Sequence, residues 1–306
     1  MNQRPLFSVF TPTYNRAHTL DRVYNCLRAQ TFRDFEWVII DDGSTDNTKQ
    51  LIQTWEKEAD FPIKYHWQPN QGKHIAYNHC AKVASGELFV NIDSDDEALP
   101  NALQRFKDIW YSISTDQREG LSGIMCHCRD QKGNLVGKLF EKEVIADTLE
   151  YLLSRPNHGE KWGFLRMDVF REFPFPEDVK NVHIPETYFM HACTQKYKSK
   201  FVNDVLRVYY VQEHSDSLNE KLKKKENYAG NYYGCLAFPK FSMRLFFKFP
   251  KIFIANTAYY VKLSLFLKKG LGVQWRDIGN ARGRLLWIFT WPIGLFLYAK
   301  DKVIKK

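Results

Sequence analysis

Apolar runs and helical periodicities alternate along the first hundred residues. Residues 6–11 form a short apolar run that predicts a strand, and Leu20, Val23 and Leu27 then recur on one face at helical spacing. FEWVIID, Phe35–Asp41, is almost continuously apolar, the signature of a strand buried on both faces. Ser44, Thr45 or Asp46 can cap the next helix, which carries Leu51, Ile52 and Trp55. Ile63–Trp67 reads as a third strand, 71–84 as a third helix ending near Gly86, and 87–93 (ELFVNID) as a fourth strand. The order βαβαβαβ calls for a mainly parallel sheet with helices on both faces. From 100 to 218 the signals mix. Helix is predicted at 101–113, strand at 121–128, 162–167 and 201–211, a turn-rich loop at FPFPEDV, and helix again after Pro185, which suits a first helical position.

From 219 onward the texture changes. A charge run at 221–225 leads into FSMRLFFKFPKIFIANTAYYVKLSLFLKK and LLWIFTWPIGLFLYAK, both aromatic-rich and edged by Lys and Arg. The longest uncharged piece, 285–299, has 15 residues and contains Pro292. A helical bilayer span needs about 20 apolar residues. The pattern therefore predicts amphipathic helices lying in a membrane interface, with a helical subdomain packed on the first part as the other reading. Charge sharpens the division. The net +9 splits into 14 Lys and 4 Arg against 4 acids in 219–306, while the other 218 residues carry 26 basic and 31 acidic groups. Such a one-sided surplus fits an anionic lipid surface better than nucleic acid. The 306 residues, 44% hydrophobic, suffice for one large domain plus an appendage. The six cysteines show no CxxC spacing, so neither a disulfide framework nor a zinc site is expected, and Cys126 and Cys128 read as core. Free thiols suit a reducing compartment, and the apolar run in MNQRPLFSVF is too short for a signal peptide.

In parallel α/β sheets ligands gather beyond the carboxyl ends of the strands. Polar clusters fall there at 11–16, 41–46 and 93–96. The first of these, TPTYNR, contains no glycine, which argues against a dinucleotide fingerprint and against a P-loop. A diphosphate bound here would need its charge met by a metal ion. Asp93-Ser94-Asp95-Asp96 puts three carboxylates in four residues, and hard oxygen donors suit Mg²⁺ or Mn²⁺. The same residues also suit a solvated turn capping the next helix. Asp42 can accept from a base N–H or a ribose hydroxyl, or serve its own turn.

The strings SVFTPTYNR, AQTFRDFEWVIIDDGSTDNT, NQGKHIAYNHC and SGELFVNIDSDD resemble the family 2 glycosyltransferases of the polysaccharide-assembly type. The resemblance runs from about 6 to 218. It takes in WGFLRMDVF, PFPEDVKNVHIPE and KYKSKFVNDVLRVYY, which are similar to the family's acceptor-side half. It implies an α/β chain with the GT-A nucleotide-binding fold and a central, mainly parallel mixed sheet over 1–218. Residues 1–100 would form the nucleotide-binding half and 101–218 the acceptor half, with 219–306 a basic membrane-associating helical region. Pro12, Thr13 and Tyr14 would line the nucleobase, with Tyr14 stacking on it. Asp42 would bind base or ribose, and Lys73 base or phosphate. Asp95 would face the ribose or sugar, Asp96 would reach a Mn²⁺ or Mg²⁺ ion, and Asp93 and Asp95 can share these tasks.

The implied reaction is inverting transfer from a nucleotide-sugar, a UDP-sugar above all. An acceptor hydroxyl attacks in line, a carboxylate takes its proton, and the metal replaces a general acid. Glu186, in His183-Ile184-Pro185-Glu186, matches the family's base at the opening of a helix. Many relatives carry an acid pair there; this chain has Glu186-Thr187, with Asp178 and Glu177 next in line. His214 would complete the metal shell. The acceptor would be a lipid-linked or growing glycan at the cytoplasmic face of the cell membrane. Two rival classes are a sugar nucleotidyltransferase, whose first loop is Gly-rich with a basic residue, and a non-catalytic membrane-surface binder.

Overall fold

The computed structural model describes residues 4–155, 159–210 and 227–304. Its first four strands follow the apolar runs: β1 (Phe7–Thr13), β2 (Phe35–Asp41), β3 (Ile63–Trp67) and β4 (Leu88–Asn91). Helices α1 (Leu20–Arg28), α2 (Thr48–Glu58) and α3 (Lys73–Val83) connect them. β2 is buried along its whole length, as its sequence predicts. Glu36, a charge buried within it, is satisfied by the Ser8 hydroxyl at 2.6 Å, the Ser85 N–H and hydroxyl at 2.6 Å, and Lys64 Nζ at 2.7 Å. A buried carboxylate is tolerated only with such partners.

The second half of the chain extends the sheet, with the helix predicted at 101–113 and the strands predicted at 121–128, 162–167 and 201–211 joined by shorter elements. β5 (Glu97–Ala98), α4 (Ala102–Ser112), α5 (Thr115–Glu119), β6 (Leu121–Asp130), β7 (Val144–Ala146), α6 (Thr148–Leu153), β8 (Lys161–Arg166), α7 (Met167–Glu172) and β9 (Lys198–Tyr209) follow in chain order, with α8 (Thr187–Cys193) before β9. The strand order is β3-β2-β1-β4-β8-β6-β9-β5, with β7 also on β9. Pairs β1/β2, β1/β4, β2/β3 and β6/β9 are parallel, and β8 joins the two halves by antiparallel pairing with β4 and β6. The sheet is thus mixed and mainly parallel in its first half. Cys126 and Cys128 are fully buried in its core.

The described residues divide into two compact units, 4–181 with 196–210, and 182–195 with 227–304. The first holds the whole sheet. The second is helical: α8, then α9 (Tyr228–Phe241), a 3-10 turn (Met243–Leu245), α10 (Pro250–Phe266), α11 (Leu271–Ile278) and α12 (Ala281–Ile304). Its interior buries Tyr232, Tyr260 and Phe253, and hydrogen bonds tie its helices together: Tyr232 Oη donates to Asp277, and Trp287 Nε1 donates to Gln274 Oε1 at 3.0 Å. α12 lies close against α10 at Gly294, where a Cβ would meet Val261 Cβ at 2.5 Å and Ala258 O at 2.7 Å. Among the described residues, no helix is long and apolar enough to cross a membrane.

Candidate active site

The carboxyl ends of β1, β2 and β4 carry the three polar clusters, and hydrogen bonds join the first two. Asn15 stands in the left-handed region at φ 53° and its N–H donates to Ser44 Oγ at 2.8 Å. Asn15 Oδ1 accepts from the Thr45 N–H at 2.8 Å. Ser44 and Thr45 therefore serve the β1 loop rather than capping α2. Asn47 occupies the cap position, and Asp46 accepts from the Thr48 N–H at 3.1 Å. Gly43, at φ 89°, sits where a Cβ would lie 2.7 Å from Asn70 N, so the loops after β2 and β3 touch through it.

Asp42 is buried in this junction. Its Oδ1 accepts from Gln68 Nε2 at 2.7 Å and from the Gln71 N–H at 2.9 Å, and its Oδ2 accepts from the Gly72 N–H at 2.7 Å. Asp42 thus shapes the turn that starts α3. Pro12 is half-buried, Thr13 buried, and Tyr14 exposed with its ring presented to solvent. Thr13 Oγ1 and His74 Nδ1 are buried without a hydrogen-bond partner among the described residues, while His74 Nε2 donates to Val179 O at 2.9 Å. Buried polar atoms are almost always satisfied, so Thr13 Oγ1, at the end of β1, has room for a hydrogen bond from a ligand or an ordered water.

The acidic turn is partitioned by its partners. Lys73, the first residue of α3, places Nζ 2.8 Å from Asp93 Oδ1. Arg207, on β9 and 3% exposed, reaches Asp93 Oδ2 at 3.3 Å and also bonds Asp96 Oδ2. Asp96, 2% exposed, accepts the Tyr210 N–H on Oδ1 at 2.8 Å. Burial lifts the Asp96 carboxyl to about 6, against the pull of Arg207. Burial acts on Asp93 in the same sense, but Lys73 and Arg207 outweigh it and hold that carboxyl well below the usual range. Asp95 is half-buried; burial and the neighbouring Asp93 charge raise its carboxyl. Its backbone carbonyl accepts from Arg22 Nη1 at 3.1 Å, and Arg22 in turn lies over the Tyr210 ring at 4.2 Å.

Asp96, expected at the metal, has both its oxygens bonded among the described residues, Oδ2 to Arg207 and Oδ1 to the Tyr210 N–H. Among the described residues, no group of three or more His, Cys, Asp or Glu is arranged to hold a metal. The oxygen donors of this turn, the half-buried Asp95 among them, suit a hard divalent cation shared with phosphate oxygens of a substrate, since Mg²⁺-type sites commonly use one or two carboxylates plus phosphate. His214 lies outside the described residues. Sequence reading misses Arg207, Tyr210, Gln68 and Arg22. The one legible signal is an arginine inside an otherwise apolar run, VLRVYY.

Glu186 belongs to the helical unit, at the N-cap of α8 and exposed. The loop before it is clamped from α9. Asn227 Nδ2 donates to His183 O at 2.8 Å and its Oδ1 accepts from the His183 N–H at 3.3 Å. A Cβ on Gly230 would collide with that same carbonyl oxygen, and one on Gly234 would press on Pro185 Cγ at 3.3 Å. Glu177 Oε1, by contrast, accepts from Asn78 Nδ2 at 2.8 Å and ties its loop to α3.

Comparison with known proteins agrees with this geometry. A family model described as glycosyl transferase family 2 matches residues 8–117. An uncharacterized glycosyltransferase of Mycoplasma pneumoniae is 33% identical over 217 residues, covering 70% of this chain and 67% of the relative. A Campylobacter jejuni GalNAc(5)-diNAcBac-PP-undecaprenol beta-1,3-glucosyltransferase is 28% identical over 209 residues, 63% of this chain and 65% of that enzyme. A Nostoc uncharacterized glycosyltransferase is 38% identical over 127 residues, 42% of this chain and 38% of the relative. The chain thus spans less than two thirds of the length of several curated relatives it matches. In fold it is similar to S. aureus TarS 1–349, solved in complex with UDP, at a TM-score of 0.56 and 16% identity over 96% of this chain and 91% of that one.

Proposed function

This chain belongs to glycosyltransferase family 2, and from that premise we propose that it moves a sugar from a UDP-sugar to a hydroxyl of a lipid-linked or growing glycan in surface polysaccharide synthesis, with inversion at the anomeric carbon. The observation that carries the reading is the junction at the ends of β1, β2 and β4. There Lys73 sets its ammonium on Asp93, Asp95 is half-buried in the same acidic turn, and Thr13, whose Oγ1 is buried without a partner among the described residues, precedes the exposed Tyr14. The UDP held by the TarS structure of the same fold supports a uridine donor.

In this reading the Tyr14 ring stacks on the base, and Asp42, already set by Gln68 and Gly72, accepts from its N–H. Lys73 and the N-terminus of α3 draw in the diphosphate, since helix starts and cations both favour anions. Asp95 would hold a Mn²⁺ or Mg²⁺ ion together with the donor's phosphate oxygens. Such an ion, when bound, supplies positive charge against the charge developing on the leaving diphosphate. Glu186 accepts the proton of the attacking hydroxyl, so that the new C–O bond forms as the bond to diphosphate breaks on the opposite face. The enzyme would work at the inner face of the membrane that holds its acceptor.

The test is a thermal-shift panel of nucleoside diphosphates with and without Mn²⁺, followed by turnover. Stabilisation by UDP that needs Mn²⁺ and disappears in Asp95→Ala is expected. Glu186→Gln should keep that stabilisation and lose about 10²-fold or more in turnover. Full turnover in both variants ends the assignment.

A further inference from the structure

The outer side of α12 is apolar without interruption. Leu285, Ile288, Phe289, Pro292, Ile293 and Phe296 recur at i, i+3, i+4, i+7, i+8 and i+11, and all are exposed, Phe289 at 70% and Phe296 at 66%. This is not a misplaced core face. The opposite side of the same helix is already seated, with Leu286, Trp287 and Thr290 buried and Gly294 fitted against α10. The stripe runs about 17 Å at helical rise. Contiguous exposed apolar surface of this kind marks an interaction site.

Charge selects its occupant. Over 227–304 eight Lys and four Arg face only Asp277 and Asp301, and Asp301 is paired with Lys262 at 2.7 Å. Arg282 and Arg284 precede the stripe and Lys300 and Lys302 follow it. Two copies meeting through this face would bring together two strongly cationic helical units, which repel. The stretch 211–226 offers only Val211, Leu218 and Leu222 as aliphatic side chains and cannot match six. An anionic bilayer surface satisfies both features, taking the apolar side chains below its headgroups and the cations at their level.

We propose that the outer face of α12 docks the protein on anionic lipid, the helix lying parallel to the surface. The inference deepens the reading of a membrane-borne acceptor given above and rests on it. The experiment uses the full chain and sedimentation with vesicles of phosphatidylglycerol and phosphatidylcholine, against phosphatidylcholine alone. Wild type is expected to partition about tenfold or more in favour of the anionic vesicles. Phe289→Glu with Phe296→Glu should weaken that partition about tenfold or more. Both positions are exposed, so the variant should keep its circular dichroism and its UDP-dependent thermal shift, which shows that the fold and donor site are intact. Wild type that ignores anionic vesicles, or a variant that binds as well as wild type, overturns the proposal. So does a lipid-free wild type that is dimeric where the variant is monomeric, since a second copy then covers the face. Vesicle binding that persists while UDP has no effect would count against the donor reading and leave this face standing.

Discussion

Arg207 is the most consequential side chain that no local pattern announces. A guanidinium and a carboxylate both removed from water cost several kcal/mol each in desolvation, recovered only by their mutual geometry. Arg207 meets that condition with two carboxylates, Asp96 and Asp93, and so fixes the acidic turn from β9. Removing one partner strands the other. Arg207→Met should lower stability by about 3–5 kcal/mol, and Asp96→Asn in the same background should return a large part of it. Urea denaturation of the two single variants and the double variant measures the coupling; strictly additive losses would show that the pair is not a unit. The three acids look equivalent in the string DSDD. What sets Asp96 apart among them in the structure is an arginine 111 residues further along the chain, and that distance is why no local pattern announces the pairing.

The elements themselves divide by how local their causes are. β2 is legible to the residue because a compact apolar run bounded by turn signals leaves little freedom, and β3 (Ile-Lys-Tyr-His-Trp) because branched and aromatic side chains alternate with polar ones, whereas β5 and β7, of two and three residues, carry no period to read. α8 is foreseeable from Pro185, yet its company is not. Its leading loop is held by Asn227 and by the glycine face of α9, 44 residues on from His183. This gives α9 a positioning duty toward Glu186. Gly230→Ala drives a methyl into the His183 carbonyl and must shift either the loop or the helix. With Glu186 as base, a displacement of about 1 Å should cost up to 10²-fold in turnover, because a general base acts only at hydrogen-bond reach. UDP-dependent stabilisation should stay at the wild-type value. Turnover unchanged in a folded Gly230→Ala protein would separate the α9 clamp from catalysis.

Across the whole molecule the charge is divided rather than spread: 26 basic against 31 acidic groups before residue 219, and 18 against 4 after it. Such a division makes association with an anionic surface depend on salt in a way that donor chemistry does not. The Debye length is about 10 Å at 0.1 M salt and about 3 Å at 1 M, so added salt uncouples the cations of the helical unit from lipid headgroups. The apolar stripe on α12 is insensitive to this screening, since hydrophobic transfer does not weaken as ionic strength rises. Turnover of an acceptor embedded in phosphatidylglycerol vesicles should therefore fall several-fold as salt is raised toward 1 M, then level off where the apolar contact alone remains. Turnover of a short water-soluble acceptor should change little over the same range. If the two acceptors respond alike, the basic half does not act by concentrating the enzyme at its substrate, and its charge must serve the acceptor glycan directly.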